Sequence, residues 1–433
     1  MHKQLLLILG GSAGQLLLAL FSSIAAARLL DSQGRGELAA LLMLPAILQQ
    51  LASFGTPQAL TYFTAQQLAR PGTLLGSSLA LIVIVAAPVI ATATLALPWV
   101  LGRHSEVLNY SVRTVTLPLL TISLLYGLPA SVLLGRKDYL HFNIQRLLAS
   151  ALYLAAVLSA GLAGDALSIV QCYQTGLLLL GLPYVAWVYG KTVGDRVRLD
   201  LRVMSAMLPY SFVTWLSALP QIAGQRLDQI VTLAALSLFD LGQYSIAVGL
   251  GQAYQTLLSA AGTLLLPHLA NVQTDPGRRA LLFARVFRVA LLITAATLII
   301  GVAVLPALIP LLFGREYLPA VAVAQLLLVA YGAAALSGVL CDGFRGCGWP
   351  RLALWVEVAN VCVRAVCFYA WYNAVDLTVI ARISTAGALV ALGLATYFFH
   401  HHVYAIDLSW VGRCRRYCRY LVIFAQGVLA RWK

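Results

Sequence analysis

The stretch Ala27–Ala39 reads ARLLDSQGRGELA, and a related stretch returns in the second half of the chain as LFDLGQYSIA, Leu238–Ala247. Each is a short polar seam between long apolar runs. In the first seam two arginines, Arg28 and Arg35, stand where the chain would otherwise meet lipid. An arginine at a helix centre in a bilayer costs about 2.5 kcal/mol or more on insertion scales. Each is therefore expected at a water surface or against something negative. The pairing of the seams extends further. Leu29-Leu30-Asp31 with Gly36-Glu37-Leu38-Ala39 echoes Leu238-Phe239-Asp240 with Gly242-Gln243-Tyr244-Ser245. Gly55-Thr56 recurs as Gly262-Thr263, Leu97-Pro98 with Gly102-Arg103 as Ile309-Pro310 with Gly314-Arg315, and Tyr126-Gly127 as Tyr331-Gly332. Matches in the same order, at an offset near 205–212, predict an internal duplication.

The chain has 433 residues, 61% of them hydrophobic and only 10% charged, with a mean hydropathy of +0.86. Soluble domains are nearer half apolar and a quarter charged. Apolar runs long enough to cross a bilayer core of roughly 30 Å as helices recur along the whole length. The strands of a membrane barrel alternate and are far shorter. The expected fold is an all-α polytopic membrane protein. Its spans are predicted near 5–27, 37–57, 74–101, 107–134, 146–164, 167–189, 204–235, 242–268, 285–313, 318–341, 351–373 and 377–399, twelve in all. These group as an N-terminal six-helix bundle (1–190), a linker (191–203), a C-terminal six-helix bundle (204–399) and a basic interfacial tail (400–433). Two halves of six spans each start on the same side, so the repeat axis runs along the membrane normal. Many transporters share that arrangement, with a site between the lobes. Ala25-Ala26-Ala27 mimics a signal-peptidase site, but the apolar stretch before it exceeds a typical signal h-region, and the first span is expected to stay.

Cationic loops stay cytoplasmic. One side carries Lys3, Arg70, Arg136, Lys137, Arg146, Lys191, Arg196, Arg198, Arg202, Arg278, Arg279, Arg285, Arg288, Arg345, Arg351 and the tail from Arg413 to Lys433. The other carries Arg28, Arg35, Arg103 and Arg315, with Arg113 and Arg382 just inside their spans. Both termini are thus expected on the cytoplasmic side of the membrane. The net charge of +14 is explained by this bias and by a face for anionic membrane lipids, with no nucleic acid required.

Polar residues inside spans should face protein or water. Ser12, Gln15 and Ser22 share a face of the first span, and Gln252, Gln255, Ser259 and Thr263 a face of the eighth. The second carries Gln49, Gln50 and Ser53. Such stripes serve either as helix–helix glue or as cavity lining; their presence on paired spans favours a shared central cavity. The seventh span, Met204–Ser237, is too long for one simple crossing, and Pro209, Pro220 and Gly224 offer kinks. After them comes Gln225-Arg226-Leu227-Asp228, in which Asp228 continues a stripe of Gln221, Gln225 and Thr232 while Arg226 points elsewhere. Arg113 in the fourth span and Glu357 and Arg364 in the eleventh complete the intramembrane charges, with Arg285, Arg288 and Arg146 placed to snorkel. Arginine outnumbers acid at depth. That suits a polyanion such as pyrophosphate, which guanidinium binds bidentately, and not a cationic drug.

No Walker A sequence is present, so ATP drive within the chain is not expected. The seven cysteines lack CxxC spacing, and His400-His401-His402 lacks a surrounding cluster, so neither metal nor any other cofactor is expected. External loops are too short to house a glycan polymerase or ligase. The tail from Trp410 alternates arginines with Tyr417, Tyr420 and apolar residues, as an interfacial anchor does.

ARLLDSQGRGELA after the first span, LASFGTPQALTYF closing the second, QRLDQIV followed by DLGQYSIA, and FRGCGWPRLAL before the eleventh resemble bacterial polysaccharide (O-antigen type, Wzx-like) flippases. These belong to the multidrug/oligosaccharidyl-lipid/polysaccharide (MOP) exporter superfamily, and the resemblance spans the chain. One departure is Leu30-Asp31-Ser32, where the family commonly has Leu-Gly-Pro. The resemblance implies two six-helix bundles, alternating access, and a cationic cavity for an undecaprenyl-diphosphate-linked oligosaccharide, an O-antigen or exopolysaccharide repeat unit. It also implies coupling to a proton or sodium gradient and neighbours among glycan polymerase and chain-length proteins. On this reading Arg28, Arg113, Arg226 and Arg364, with Gln15, Gln252 and Gln255, contact the substrate. Asp228 and Glu357 couple the ion. Arg28 is expected at the outer rim of the cavity, and Arg35 in a surface loop. The rivals are a small-molecule exporter of the superfamily, its peptidoglycan-precursor flippase, which often has extra spans, and a membrane glycan-assembly enzyme.

Overall fold

A computed structural model describes residues 2–101, 106–271, 276–346, 349–371, 374 and 376–402. Among these residues the secondary structure is helical with no strand. Lipid imposes this, because a backbone without water satisfies itself only in a helix or a closed barrel. The first half comprises α1 (His2–Leu29), α2 (Ser32–Ala52), α3 (Thr56–Ala65), α4 (Pro71–Leu101), α5 (Glu106–Gly135), α6 (Tyr139–Ala160), α7 (Ala166–Gly176) and α8 (Leu182–Thr192). The second comprises α9 (Leu201–Ala235), α10 (Leu238–Asn271), α11 (Pro276–Leu312), α12 (Ala320–Gly346), α13 (Pro350–Ala370) and α14 (Leu377–His402).

Among the described residues nine helices are long and apolar enough to cross a membrane, or ten if α2 and α3, bent by 51°, form one span. The expected twelve include α9 and α10, which are long enough but fall outside that count. Both carry the polar stripes read from the sequence. The α2–α3 bend sits at Phe54 and Gly55, both at positive φ. Gly55 lies so close to α9 that a Cβ there would fall 2.3 Å from the Ser211 carbonyl oxygen. The tail beyond His402 lies outside the described residues, as do the side chains of Ser259 and Thr263.

The two seams of the duplication meet each other. Asp31 caps α2 by accepting from the Gly34 N–H at 2.6 Å, so an aspartate supplies this turn. Ser237 caps α10 with Asp240 returning the bond, a capping box. The capped helix starts then cross, and small residues at the crossing let the backbones touch. A Cβ on Gly36 would fall 1.8 Å from the Leu238 carbonyl oxygen, and one on Gly242 would fall 2.0 Å from that of Ser32. Each glycine meets the residue four before the other, so the contact is symmetric about the repeat axis. The cores join here too. Ala27 packs with the second-half cluster around Tyr244 and Ile309, and Leu233 and Leu241 pack with the first-half cluster around Leu38 and Ile169.

α9 is a single continuous 35-residue helix with Pro209 and Pro220 inside it. A proline removes one donor and crowds the preceding turn, but both flanks of this helix are held by packing. Met207 is buried in the first-half cluster with Leu60, Leu74 and Leu128. Trp215 Nε1 donates to the Leu51 carbonyl at 3.0 Å. The connection before α9 is strapped to the start of α4: Arg198 N–H donates to the Gly72 carbonyl, and Asp195 accepts from the Gly72 N–H. Leu227 and Val231, further along, pack with the second-half cluster. A helix counted with the C-terminal bundle by chain order therefore begins against the N-terminal one.

Candidate functional site

The end of the molecule that carries the seams is closed. Ser32 N–H donates to Glu316 Oε1 at 2.8 Å, and Gln243 Nε2 donates to both Ser32 Oγ and the Glu316 carbonyl at 3.0 Å. Tyr317, whose hydroxyl burial pushes up to about 12, stays protonated and donates to the Ala27 carbonyl at 3.4 Å. Arg28 belongs to this closure. Its Nε donates to the Leu312 carbonyl at 2.8 Å and its Nη2 to that of Leu311, satisfying the last carbonyls of α11 as cations at helix C-termini do. It lines neither cavity described below. Arg35 is not in a surface loop. It sits in the first turn of α2, half-buried, and donates to Ser23 Oγ at 3.2 Å. Arg28 thus lies at the closed end and not on a cavity wall, and Arg35 lies in a helix and not in a loop, because the chain turns at Asp31 and not after Arg35. Arg113 is exposed on α5 and lines neither cavity.

Between the halves lies a cavity of about 370 Å³, called the seam cavity because it separates the two halves; the two sequence seams do not line it. Its first-half wall is Ser12, Gln15 and Ser23 of α1 with Arg146 of α6, and its second-half wall is Gln252 and Thr256 of α10. The α1 stripe is shifted by one residue from that expected: Ser22 is buried and donates back to the Leu18 carbonyl. Arg146 does not snorkel. Its Nη2 donates to Gln15 Oε1, and its guanidinium stands 5.4 Å from the Phe142 ring centroid. No carboxylate lines this cavity among the described residues. Its charge is that of one guanidinium with a neutral partner.

A second cavity, of about 480 Å³, lies within the second half, enclosed by α9, α10, α12, α13 and α14. It shares Gln252 and Thr256 with the first. Its charged lining is three arginines, Arg226, Arg345 and Arg364, and three acids, Asp228, Asp342 and Glu357. Asp228, 3% exposed, accepts from the Tyr244 hydroxyl at 2.7 Å, from Ser384 at 3.3 Å and from the Gln229 N–H at 2.8 Å. Arg364, 6% exposed, approaches it at 3.9 Å. That guanidinium also donates to Asn360 Oδ1 and to the carbonyls of Gly224 and Ser384. One buried ion pair thereby ties α9, α10, α13 and α14. Asp342 pairs with Arg345 at 2.8 Å. Arg226 donates to Gln229 Oε1 at 2.9 Å, and its Nε has no partner among the described residues. Arg226 faces this cavity together with Asp228, contrary to the expectation that it points elsewhere; five helices surround the space, so it meets more than one face of α9.

Of the residues singled out in the sequence, Arg226, Arg364, Gln252, Gln255, Asp228 and Glu357 converge on this one cavity, and Gln15 lines the other. Gln49, Gln50 and Ser53 line neither. Sequence reasoning missed Arg146, Asp342, Arg345, Tyr244, Ser384 and Asn360. A usable signal existed for Tyr244 and Asn360, which fall a helical repeat from residues already marked. None existed for Arg146, which reads like its neighbours Arg136 and Lys137.

The comparisons with known proteins agree with this architecture. Residues 2–273 match the model of a polysaccharide biosynthesis protein family. The chain belongs to that family. This family member is similar in structure to the lipid II flippase MurJ in an inward closed conformation, with a TM-score of 0.74 at 10% identity, over 90% of this chain and 87% of that one. An inward-facing multidrug resistance MATE transporter of the MOP superfamily aligns with a TM-score of 0.69 at 15% identity, over 90% and 94%. An outward-facing one aligns at 0.58 and 14%, over 92% and 94%. The fold is that of MOP-superfamily membrane transporters. No curated protein matches the chain in sequence.

Proposed function

We propose that this protein is a flippase that carries an undecaprenyl-diphosphate-linked oligosaccharide from the cytoplasmic to the outer leaflet of a bacterial inner membrane by alternating access, with both termini cytoplasmic. The observation that carries the reading is the seam cavity: it lies between two duplicated halves and holds Arg146 with no acid beside it. A guanidinium in a low-dielectric site is well suited to a diphosphate, to which it donates two parallel bonds. Gln15 and Gln252 add neutral donors from opposite halves, so a bound diphosphate touches both. Family membership and a fold shared with a lipid II flippase support the same reading. Arg226, with a donor still free, is the nearest reserve of charge in the adjoining cavity.

Asp228 is the coupling carboxylate on this account and Glu357 a second acidic group on the way to it. Protonating Asp228 would remove the charge that Arg364 balances and weaken the tie between four helices. Export of a cationic drug would ask for acid in the cavity between the halves, and no acid lines it among the described residues. The test is a deletion strain, with surface glycan and the lipid-linked pool measured together. Loss of surface glycan with repeat units accumulating on the lipid supports the flippase. Intact glycan with altered drug resistance points to the exporter.

A further inference from the structure

We infer that the two cavities divide the ligand: the seam takes the diphosphate, and the cavity in the second half is a carbohydrate subsite that binds the sugars through side-chain amides. This rests on the flippase reading above. The second-half cavity differs from the seam in two respects. Its ionic side chains are three arginines and three acids, so it offers no net charge to hold a diphosphate. Arg364 is already engaged by Asn360, by two backbone carbonyls and by Asp228. What it has in surplus is amide. Gln221, Gln225 and Gln255 all line it, and their side chains make no hydrogen bond among the described residues. Gln221 and Gln225 are exposed to the space, one helical turn apart on α9, and Gln255 faces them from α10.

A carboxamide offers a carbonyl acceptor and an NH₂ donor side by side. Sugar hydroxyls, each donor and acceptor at once, present the complementary pattern. A chain of hydroxyls satisfies such amides without bringing charge, whereas an acyl or prenyl chain would leave them unpaired at a cost. The volume falls within the range of small-molecule sites, and Tyr331 provides an aromatic face on the wall. The cavities share Gln252 and Thr256, so a ligand bound at Arg146 by its diphosphate has its first sugar at the threshold of the amides.

The test uses the full-length protein in detergent and two probes: undecaprenyl diphosphate without sugar, and the lipid-linked oligosaccharide extracted from the deletion strain. The variants are Gln225→Ala and the triple Gln221→Ala/Gln225→Ala/Gln255→Ala. The expected result is that the triple variant binds the glycan-bearing lipid about tenfold or more weaker and the bare lipid as wild type does, with Gln225→Ala in between. Retained binding of the bare lipid also shows that the variant is folded. Equal weakening for both probes, or none for either, overturns the subsite. Failure of wild-type protein to bind either lipid overturns the flippase reading, and the subsite with it.

Discussion

The two cavities have nearly the same size and share two residues, yet their electrostatics are opposite in design. The seam holds a single guanidinium answered by an amide. The second-half cavity holds six charges that sum to zero, with the deepest pair also hydrogen-bonded to its neighbours. A charge without a counter-charge is costly to maintain in a membrane unless a ligand answers it. A compensated pair is costly only when it is broken. On the reading proposed above, one cavity receives an anion, while the other holds the bundle together and presents amides. The number of arginines in a region says little by itself; what decides is whether the structure has already supplied their partners.

The largest effect that would break this comparison is Arg364→Ala. It leaves Asp228 buried without its cation and removes the bonds that tie α13 to the Gly224 and Ser384 carbonyls of α9 and α14. Destabilisation of about 3–5 kcal/mol is expected, read as a lowered thermal unfolding midpoint. Adding Asp228→Asn should recover part of it. Equal losses in both backgrounds would mean that the two charges do not answer each other. Next is Arg146→Ala, which removes the only charge among the described residues that line the cavity between the halves. Surface glycan should fall by about tenfold or more while the unfolding midpoint barely moves, because the lost partner is a single neutral amide. Arg146→Lys should restore part of the glycan, having the charge without the bidentate fork.

Asp228→Asn sharpens the coupling role. The substitution leaves Arg364 buried without its anion, so a lowered unfolding midpoint is expected and transport is compared at equal amounts of reconstituted protein. Vesicles carrying it should exchange lipid between leaflets without responding to an imposed proton or sodium gradient. A full gradient response would remove Asp228 from coupling. The smallest effects belong to the arginines outside the cavities. Arg113→Ala should leave surface glycan unchanged. Arg28→Ala should cost a few tenths to about 1 kcal/mol, as for a cation lost from a helix C-terminus, and no binding of undecaprenyl diphosphate. Loss of lipid binding in either variant would return that residue to the site.

Much of this was legible in the sequence, for physical reasons. Apolar runs announce membrane helices, since lipid leaves the backbone few alternatives. Gly36 and Gly242 marked the repeat, and they mark it because nothing larger fits where the helices cross. Asp228 was legible as an acid inside an apolar run with amides at helical spacing. Arg28 and Arg146 were misread in opposite directions. A guanidinium that satisfies helix-end carbonyls and one that awaits an anion have the same local sequence. What separates them is the partner, and the partners, Leu311 and Leu312 for one and Gln15 for the other, are distant in the chain. That α9 stays continuous through Pro209 and Pro220 was not legible either, because the packing that holds its flanks comes from distant parts of the chain.

The most direct test of the central claim is translocation by purified protein in vesicles. Lipid-linked oligosaccharide from the deletion strain is distributed over both leaflets, and a membrane-impermeant lectin or glycosidase reports the accessible fraction. Wild-type protein should make the whole pool accessible with time, while Arg146→Ala vesicles remain near the fraction first exposed. An accessible fraction that never exceeds that of protein-free vesicles, or one that rises equally with Arg146→Ala, would contradict the assignment of the seam cavity as the path of the diphosphate.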